Sequence, residues 1–300
     1  MTHVDPDPNH TSPYNYSLPD GRRNAGPTEW ICILMLVLFG ISTVIHCVQS
    51  VLGRHWYLIA TVVLCGVGEL IGWSGRLWSS INPPADSPFK IQISTTIISP
   101  TFLSAANFLI FGAIVKVYGT QYSRLSPKLY ATLFIVIDVI SLVIQAVGGG
   151  MASAASTDAA ASHGAHIMEG GIILQLVAII FYTALAAEFL WRYTTHNPLA
   201  SSVSAPSLEP GIVEDGQEPK RPNGGFHQKV KLQLYGLILS TLFLFIRSIY
   251  RTIELNDGWT GRIISTELYF NVLDGTMVVL AMYTMNLLHP TWLLDRQRHE

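Results

Sequence analysis

The sequence predicts an all-α membrane protein, a seven transmembrane helix bundle with the N-terminus outside and the C-terminus in the cytosol. Only 13% of its 300 residues are charged and 49% are hydrophobic, whereas a soluble domain carries about 25% charged residues. Seven apolar runs approach the roughly 20 residues that a helix needs to cross a bilayer. Lysines and arginines also collect on one side of these runs, as cytosolic loops require.

The predicted spans lie near residues 30–50, 56–78, 91–116, 128–150, 169–191, 231–251 and 264–288. Residues 1–29 are polar and proline-rich without an early basic and apolar signal sequence, so we expect an extracellular tail followed by an anchoring first span. The transmembrane domain occupies residues 30–288 and a cytosolic tail residues 289–300. Glycines in spans two, four and five are expected to let neighbouring helix backbones approach closely.

Orientation follows from the distribution of basic residues. With alternating spans, eleven lysines and arginines fall on the side of the C-terminus and five on the side of the N-terminus. Asn9 and Asn15 begin N-glycosylation acceptor tripeptides, which are used only on the outer face. The connection at 192–230 is rich in Ser, Pro, Gly and Glu and is predicted to be a disordered cytosolic loop. The outer segment at 151–166 is interpreted as either a partial helix or a flexible lid.

Charged and amide side chains inside the spans are candidate functional residues, because a charge at mid-membrane costs at least about 2.5–3.5 kcal/mol. Three pairs of them are spaced seven residues apart, which places both members on one helix face. They are Glu69 with Arg76, Asp138 with Gln145, and Glu267 with Asp274. The pairs are too far apart along each helix to bond internally, at about 10 Å, so their partners must come from other helices.

The predicted span boundaries place Glu69, Asp138 and Asp274 near mid-membrane, with no Lys or Arg at that depth. Three acids at one level cannot all carry charge cheaply. Either they are protonated and hydrogen-bonded to nearby Asn and Ser, or they bind protons, a metal cation or a substrate amine. They are our candidate substrate or proton-binding residues, with Asp274 as the principal carboxylate because it shares a face with Glu267.

The other polar residues are predicted to form an interhelical network in the outer half of the bundle, since Arg suits pairing with several partners. Its members are Arg76, Gln145, Arg247, Arg251, Glu254 and Glu267. Within this network we expect Arg247 to pair with Glu267.

Several function classes find no support in the sequence. The net charge of −2 and the lack of a basic stripe argue against nucleic acid, and no nucleotide-binding G-x-x-x-x-G-K-[ST] motif occurs. The three cysteines fall in apolar runs, as small buried hydrophobes do. His163 with His166, and His46 with His289, fall short of the roughly three converging ligands of catalytic zinc. We therefore predict no catalytic residue, no metal site and no cofactor, which disfavours an intramembrane metal-dependent lipid hydrolase.

A set of motifs resembles the fungal lipid-translocating exporter family, the aminocholesterol-resistance-like proteins. The motifs are FIRSIYRTIE at 245–254 with Gly258, Gly261, Glu267, Asp274 and NLLHP at 286–290, ELIGWSGR at 69–76, and DVISLVIQAVGGG at 138–150. Together with shorter matches they cover nearly the whole chain outside the tails and the 192–230 loop. Trp73, Asn107 and Ala113 depart from the family pattern, which has Tyr, an aromatic residue and Arg at these positions.

The resemblance implies a plasma-membrane, multi-pass protein that is not an enzyme. Such a protein exports or translocates amphipathic lipids, such as sphingoid long-chain bases or toxic sterol amines. Its expected partners are these substrates and the surrounding membrane lipids. Competition of amine and proton for one buried acid would couple export to inward proton movement. The alternative is a seven-span receptor-like sensor that regulates lipid asymmetry or stress tolerance without moving a substrate. The sequence specifies no oligomeric state.

Overall fold

Seven long helices make up the fold. The computed structural model describes residues 14, 16, 26–83, 85–155, 157–199, 224–257 and 261–290. The helices are α1 Glu29–Leu52, α2 Trp56–Ile81, α3 Asp86–Tyr118, α4 Pro127–Ala154, α5 Asp158–Thr194, α6 Gly224–Asn256 and α7 Glu267–Leu287. Each is long and apolar enough to span a membrane, which confirms the seven-span prediction. The acceptor residues Asn9 and Asn15, and residues 200–223 of the predicted loop, lie outside the described residues.

Helix ends follow local capping chemistry. α4 begins with Pro127 at its first position, and the Ser126 side chain accepts a hydrogen bond from the Leu129 amide, as a helix N-terminus favours. α5 begins at Asp158, where the Thr157 side chain accepts a hydrogen bond from the Ala160 amide. The sequence predicted this span to begin near 169. Most of the segment interpreted as a partial helix or a lid is therefore the first turns of α5.

Each helix packs against the next along the chain, and contact of α1 with α7 closes them into a ring in which α3 is the most buried helix. α3 packs against α2, α4 and α6. In its most apolar stretch 72% of the residues are buried, against 28% in the corresponding stretches of α4 and of α5. Large apolar side chains such as Val44 and Phe181 are exposed on the outer surface, while charged side chains are buried inside. This distribution is the one expected where lipid surrounds the bundle and polar groups face its interior.

α4 and α5 pack through glycines so closely that their backbones touch. A Cβ atom at Gly148 would collide with the backbone of α5, and one at Gly164 would collide with the backbone of α4. A Cβ atom at Gly171 would lie 2.8 Å from the carbonyl oxygen of Ser141. The close approach predicted from these glycines is confirmed for this helix pair.

One turn of α7 is wider than an α-helix. Residues Asn271–Gly275 form a π-turn, in which the Thr276 hydroxyl donates a hydrogen bond to the Asn271 carbonyl at 2.8 Å. Such turns insert an extra residue and recur at functional sites. Here the π-turn contains Asp274 and lies against α2, where a Cβ atom on Gly275 would come within 2.5 Å of the Trp73 ring.

Candidate functional site

The polar residues selected from the sequence lie inside the bundle. Those that are at most 6% exposed are Glu69, Arg76, Asp138, Gln145, Arg247, Arg251, Glu254 and Asp274. Glu267, at the first position of α7, is partly exposed. We call the end of the bundle where α1, α3, α5 and α7 begin the Thr28 end. The opposite end, which holds the last turn of α7, is the His289 end.

Arg251 on α6 is the centre of a buried ion-pair cluster, which consists of Arg247, Arg251, Glu254 and Asp274. Its Nε and Nη2 atoms donate to the two carboxylate oxygens of Asp274, each at 2.8 Å. Its Nη1 atom donates to Glu254 at 2.8 Å, and the Tyr250 hydroxyl donates to the other Glu254 oxygen at 2.7 Å. The bidentate geometry is the strongest form of Arg–carboxylate contact, so it holds α6 to the π-turn of α7.

Arg247 joins the same cluster one turn earlier on α6. Its Nη2 atom donates to the backbone carbonyl of Thr96 on α3 at 2.6 Å. Its Nε atom lies 2.8 Å from Oδ1 of Asp274, but it makes no hydrogen bond in this orientation. We therefore treat the Arg247–Asp274 contact as charge attraction without a hydrogen bond. The Thr96 hydroxyl also accepts from Arg251 at 3.2 Å, so the central helix takes part in the cluster.

A second cluster surrounds Arg76 at the Thr28 end. Arg76 donates to Glu267 at 3.2 Å, and the two Glu267 oxygens also accept from the amide and hydroxyl of Thr28 at 2.8 and 2.6 Å. The Arg76 guanidinium lies 4.4 Å from the centre of the Phe270 ring, and Arg251 lies 5.1 Å from the same ring. Tyr14 and Tyr16 lie over Arg76 at 5.4 Å each. Phe270 therefore connects the two clusters through cation–π contacts.

Two predictions from the sequence are corrected by these contacts. Arg247 does not pair with Glu267, because Glu267 is bound by Arg76 and Arg247 lies beside Asp274. Arginines do lie at the level of Asp274. α6 continues to 256 instead of 251, which moves Arg251 about 8 Å into the bundle. α7 begins at 267 instead of 264, which leaves Asp274 only about 10 Å deep.

Glu69 differs from Asp274 in having no hydrogen-bond partner among the described residues. It lies midway along α2, is 1% exposed, and neither of its carboxylate oxygens is hydrogen-bonded. Asp274, Arg247 and Arg251 lie within electrostatic range of it. The Trp73 indole N–H is close to Glu69, but neither group satisfies hydrogen-bond geometry. The structure thus brings Glu69 beside the ion-pair cluster as a buried acid that no hydrogen bond stabilises.

Asp138 on α4 lies apart from these charges. It is 2% exposed, and its Oδ2 atom has no hydrogen-bond partner among the described residues. Two turns further, Gln145 donates to Gln175 on α5 at 3.3 Å. Gln175 donates in turn to Thr101 on α3 at 2.9 Å. Sequence reasoning missed Gln175, although an amide in the middle of an apolar span was the available signal.

Clefts large enough to hold a small organic molecule open between the helices. One of about 540 Å³ lies between α5 and α6, with Phe111, Tyr182 and Phe245 in its wall. A second of about 440 Å³ lies between α3, α4 and α5 in the half nearer the Thr28 end. A third of about 600 Å³ lies between α6 and α7 and includes Tyr250 and Arg262. Their walls are mainly apolar, as in sites that take small amphiphiles.

Histidines at the His289 end form a polar contact. Nε2 of His46 lies 3.0 Å from the Met282 carbonyl oxygen, and the His46 and His289 rings lie 5.6 Å apart. Burial, with His46 and His55 nearby, lowers the pKa of His289 to about 3, so this residue is neutral at ordinary pH. Within the described residues no three His, Cys, Asp or Glu side chains converge as metal ligands would.

Comparison with known proteins identifies related chains. The family model described as RTA1 like protein matches residues 62–297. The chain is 31% identical to the sphingoid long-chain base transporter RSB1 of Saccharomyces cerevisiae, over 94% of this chain and 74% of that protein. It is 26% identical to protoporphyrin uptake protein 1 of the same yeast, over 71% of this chain and 62% of the relative. Protein RTA1 is also 26% identical, over 71% and 59%. No solved structure matches the chain.

Proposed function

Because the chain belongs to the RTA1-like protein family, we propose that it is a multi-pass transporter that moves amphipathic lipids across the membrane, with sphingoid long-chain bases as its main substrate class. The observation that carries this proposal is 31% identity over 94% of the chain with a relative named for that transport. The buried acids inside an apolar bundle support it. A sphingoid base has an ammonium headgroup on an alkyl chain, and a carboxylate offsets the desolvation of an ammonium group in lipid.

Glu69 is the acid that we assign to the ammonium headgroup. Asp274, which the sequence favoured, already has two hydrogen bonds from Arg251 and lies beside Arg247, so its charge is balanced. Glu69 has no hydrogen-bond partner among the described residues. An ammonium group that reaches it gains a charge-assisted hydrogen bond without displacing an existing one. We propose Asp138 as a second acid on the route and Asp274 as the residue that holds the arginines beside it.

Proton coupling follows from the chemistry of this assignment. When no amine is present, Glu69 avoids a bare charge in the apolar core by taking a proton. Amine and proton then compete for one carboxylate, so that outward amine movement accompanies inward proton movement. We propose a plasma-membrane location, as the family resemblance implies. We also propose that the N-terminus lies outside, on the basis of the eleven to five distribution of lysines and arginines. Sterol amines share the ammonium group and are a further candidate cargo.

Flux in proteoliposomes tests the function. Purified protein in liposomes that contain a C18 sphingoid base should move the base between leaflets at a rate that depends on the pH gradient. Glu69→Gln should remove that dependence and slow the flux. Glu188→Gln is the matched control, because Glu188 lies near the end of α5, where it pairs with Arg124 and Arg192.

The outcomes separate the alternatives. Wild-type protein that moves no sphingoid base under any gradient would contradict transport and return the receptor-like sensor as the better interpretation. Wild-type flux that Glu69→Gln leaves unchanged would remove Glu69 from the mechanism while transport itself stands.

A further inference from the structure

The cleft between α3, α4 and α5 combines an apolar wall with a polar base. Its volume is about 440 Å³, and its apolar lining includes Ile93, Ile97, Ala146, Gly150 and Met168. Lys90 is exposed at the mouth, seven residues before Ile97 and so about 10 Å away along α3. A long cationic side chain at this level reaches toward the membrane surface. Gln145 lines the cleft and also borders a small void beside the arginines of α6, so we take its amide as the polar base of the cleft.

Gln145 presents a buried acceptor that no described residue satisfies. The residue is 3% exposed, and its Oε1 atom has no hydrogen-bond partner in the described part of the chain. The orientation of its amide is fixed by neighbours. Gln175 donates its own amide N–H to Thr101, so its oxygen is the group that accepts from Gln145 Nε2. Oε1 is therefore left as the free end, and a buried acceptor without a donor is costly.

From the buried acceptor and the apolar cleft, we propose that this is a binding site for a single-chain lipid whose headgroup donates a hydrogen bond to Oε1 of Gln145. The headgroup is an ammonium or hydroxyl group, because a carbonyl oxygen can only accept. The alkyl chain lies along Ile93, Ile97 and Met168, where it fills the cleft and gains dispersion contacts with their side chains. The substrate class rests on the proposed transport function, whereas the site itself is separate from Glu69.

The position of Gln145 also relates the cleft to the ion-pair cluster. Gln145 and Ile97 border a small void together with Gln175, Arg247 and Arg251. The Gln145–Gln175 hydrogen bond therefore stands between the lipid cleft and the arginines. The positive charges there are balanced by Asp274 and Glu254, so the two arginines present no net positive charge to an ammonium group bound at the base of the cleft.

Equilibrium binding tests the site. A labelled C18 sphingoid base is titrated into the purified full chain in lipid nanodiscs. Gln145→Leu should weaken binding about tenfold, the effect of losing one hydrogen bond to a charged or buried partner. Gly150→Leu should weaken it at least as much by filling the cleft, since Gly150 lines the cleft and a Cβ atom there meets nothing within 4 Å. Gly170→Leu on α5 is the matched control, because it has the same open space but does not line the cleft.

Competition by C18 lipids with different headgroups identifies the class of ligand. Octadecylamine and octadecanol should both compete with the labelled base, and stearate, which lacks a donor when ionised, should compete poorly. Stearate that competes as well as the amine would overturn the donor headgroup. Equal affinity in wild type, Gln145→Leu and Gly150→Leu would overturn the site, while wild-type flux would still support transport. Binding that depends on Gln145 without any flux would uphold the site and contradict the transport function.

Discussion

Replacing Asp274 by Asn removes one negative charge from the ion-pair cluster with almost no change of shape. The Asp274 carboxylate accepts two hydrogen bonds from Arg251 at 2.8 Å and lies 2.8 Å from Nε of Arg247. The Asn amide would turn an N–H toward one of these donors. Removing one partner of a buried ion pair costs about 3–5 kcal/mol, and we expect the free energy of unfolding to fall within that range.

When Glu69 is present, it should reduce the stability lost in Asp274→Asn. It lies within electrostatic range of both arginines and neither of its oxygens is hydrogen-bonded, so it can replace the missing charge beside Arg247. Glu69→Gln alone breaks no hydrogen bond, so we expect it to change the free energy of unfolding by less than about 1 kcal/mol. The double variant leaves Arg247 without either acid. Its loss should exceed the sum of the single losses by about 0.5–3 kcal/mol.

The assay is reversible unfolding of the four proteins in mixed detergent micelles, at one pH and one ionic strength. Glu188→Gln combined with Asp274→Asn is the control, because Glu188 pairs with Arg124 and Arg192 on another part of the bundle. That combination should be additive within about 0.3–0.5 kcal/mol. If the Glu69 and Asp274 variants are also additive within that margin, Glu69 does not serve as the replacement charge and the reasoning is refuted.

Three further predictions concern other parts of the bundle. Arg76→Lys keeps the charge but loses the planar contact with Phe270, so stability should fall by about 2 kcal/mol in the same unfolding assay, and an unchanged value would contradict the cation–π contact. Gly148→Ala should lower stability by about 1–3 kcal/mol because its Cβ meets the backbone of α5, whereas Gly149→Ala should be tolerated, and equal effects would argue against the close packing. An accessibility tag at Gly211 should react only from the cytosol, and labelling in intact cells would reverse the predicted orientation.

The sequence was sufficient for the number of spans and for the residues that face the interior, because apolar length and isolated charges are local properties. It was insufficient for their pairing. An error of five residues at the end of α6 shifts Arg251 by about 8 Å, which exceeds the length of an ion pair. The partner of Glu267 depends on the ring closing so that Thr28 and Arg76 meet the start of α7, and no local pattern encodes that neighbour.

Other contacts had no signal in the sequence at all. Arg247 donates to the backbone carbonyl of Thr96, and every residue has such a carbonyl. The π-turn at Asn271–Gly275 lies against α2, where Gly275 meets the Trp73 ring, and no local pattern predicts that contact. Trp73 also stands where the family resemblance led us to expect Tyr. The larger ring rests directly on the turn that contains Asp274, which makes this position a candidate source of differences among relatives.

The backbone contact between α4 and α5 constrains how the bundle can open. Where Gly148, Gly164 and Gly171 bring the two helices together, backbone lies against backbone and leaves no room for a lipid tail. We therefore expect α4 and α5 to move together as a rigid unit. A movement that opens the bundle is then expected at α6, because clefts of about 540 and 600 Å³ separate it from α5 and from α7. We therefore expect one side of the bundle, formed by α4 and α5, to stay rigid while the opposite side opens at α6.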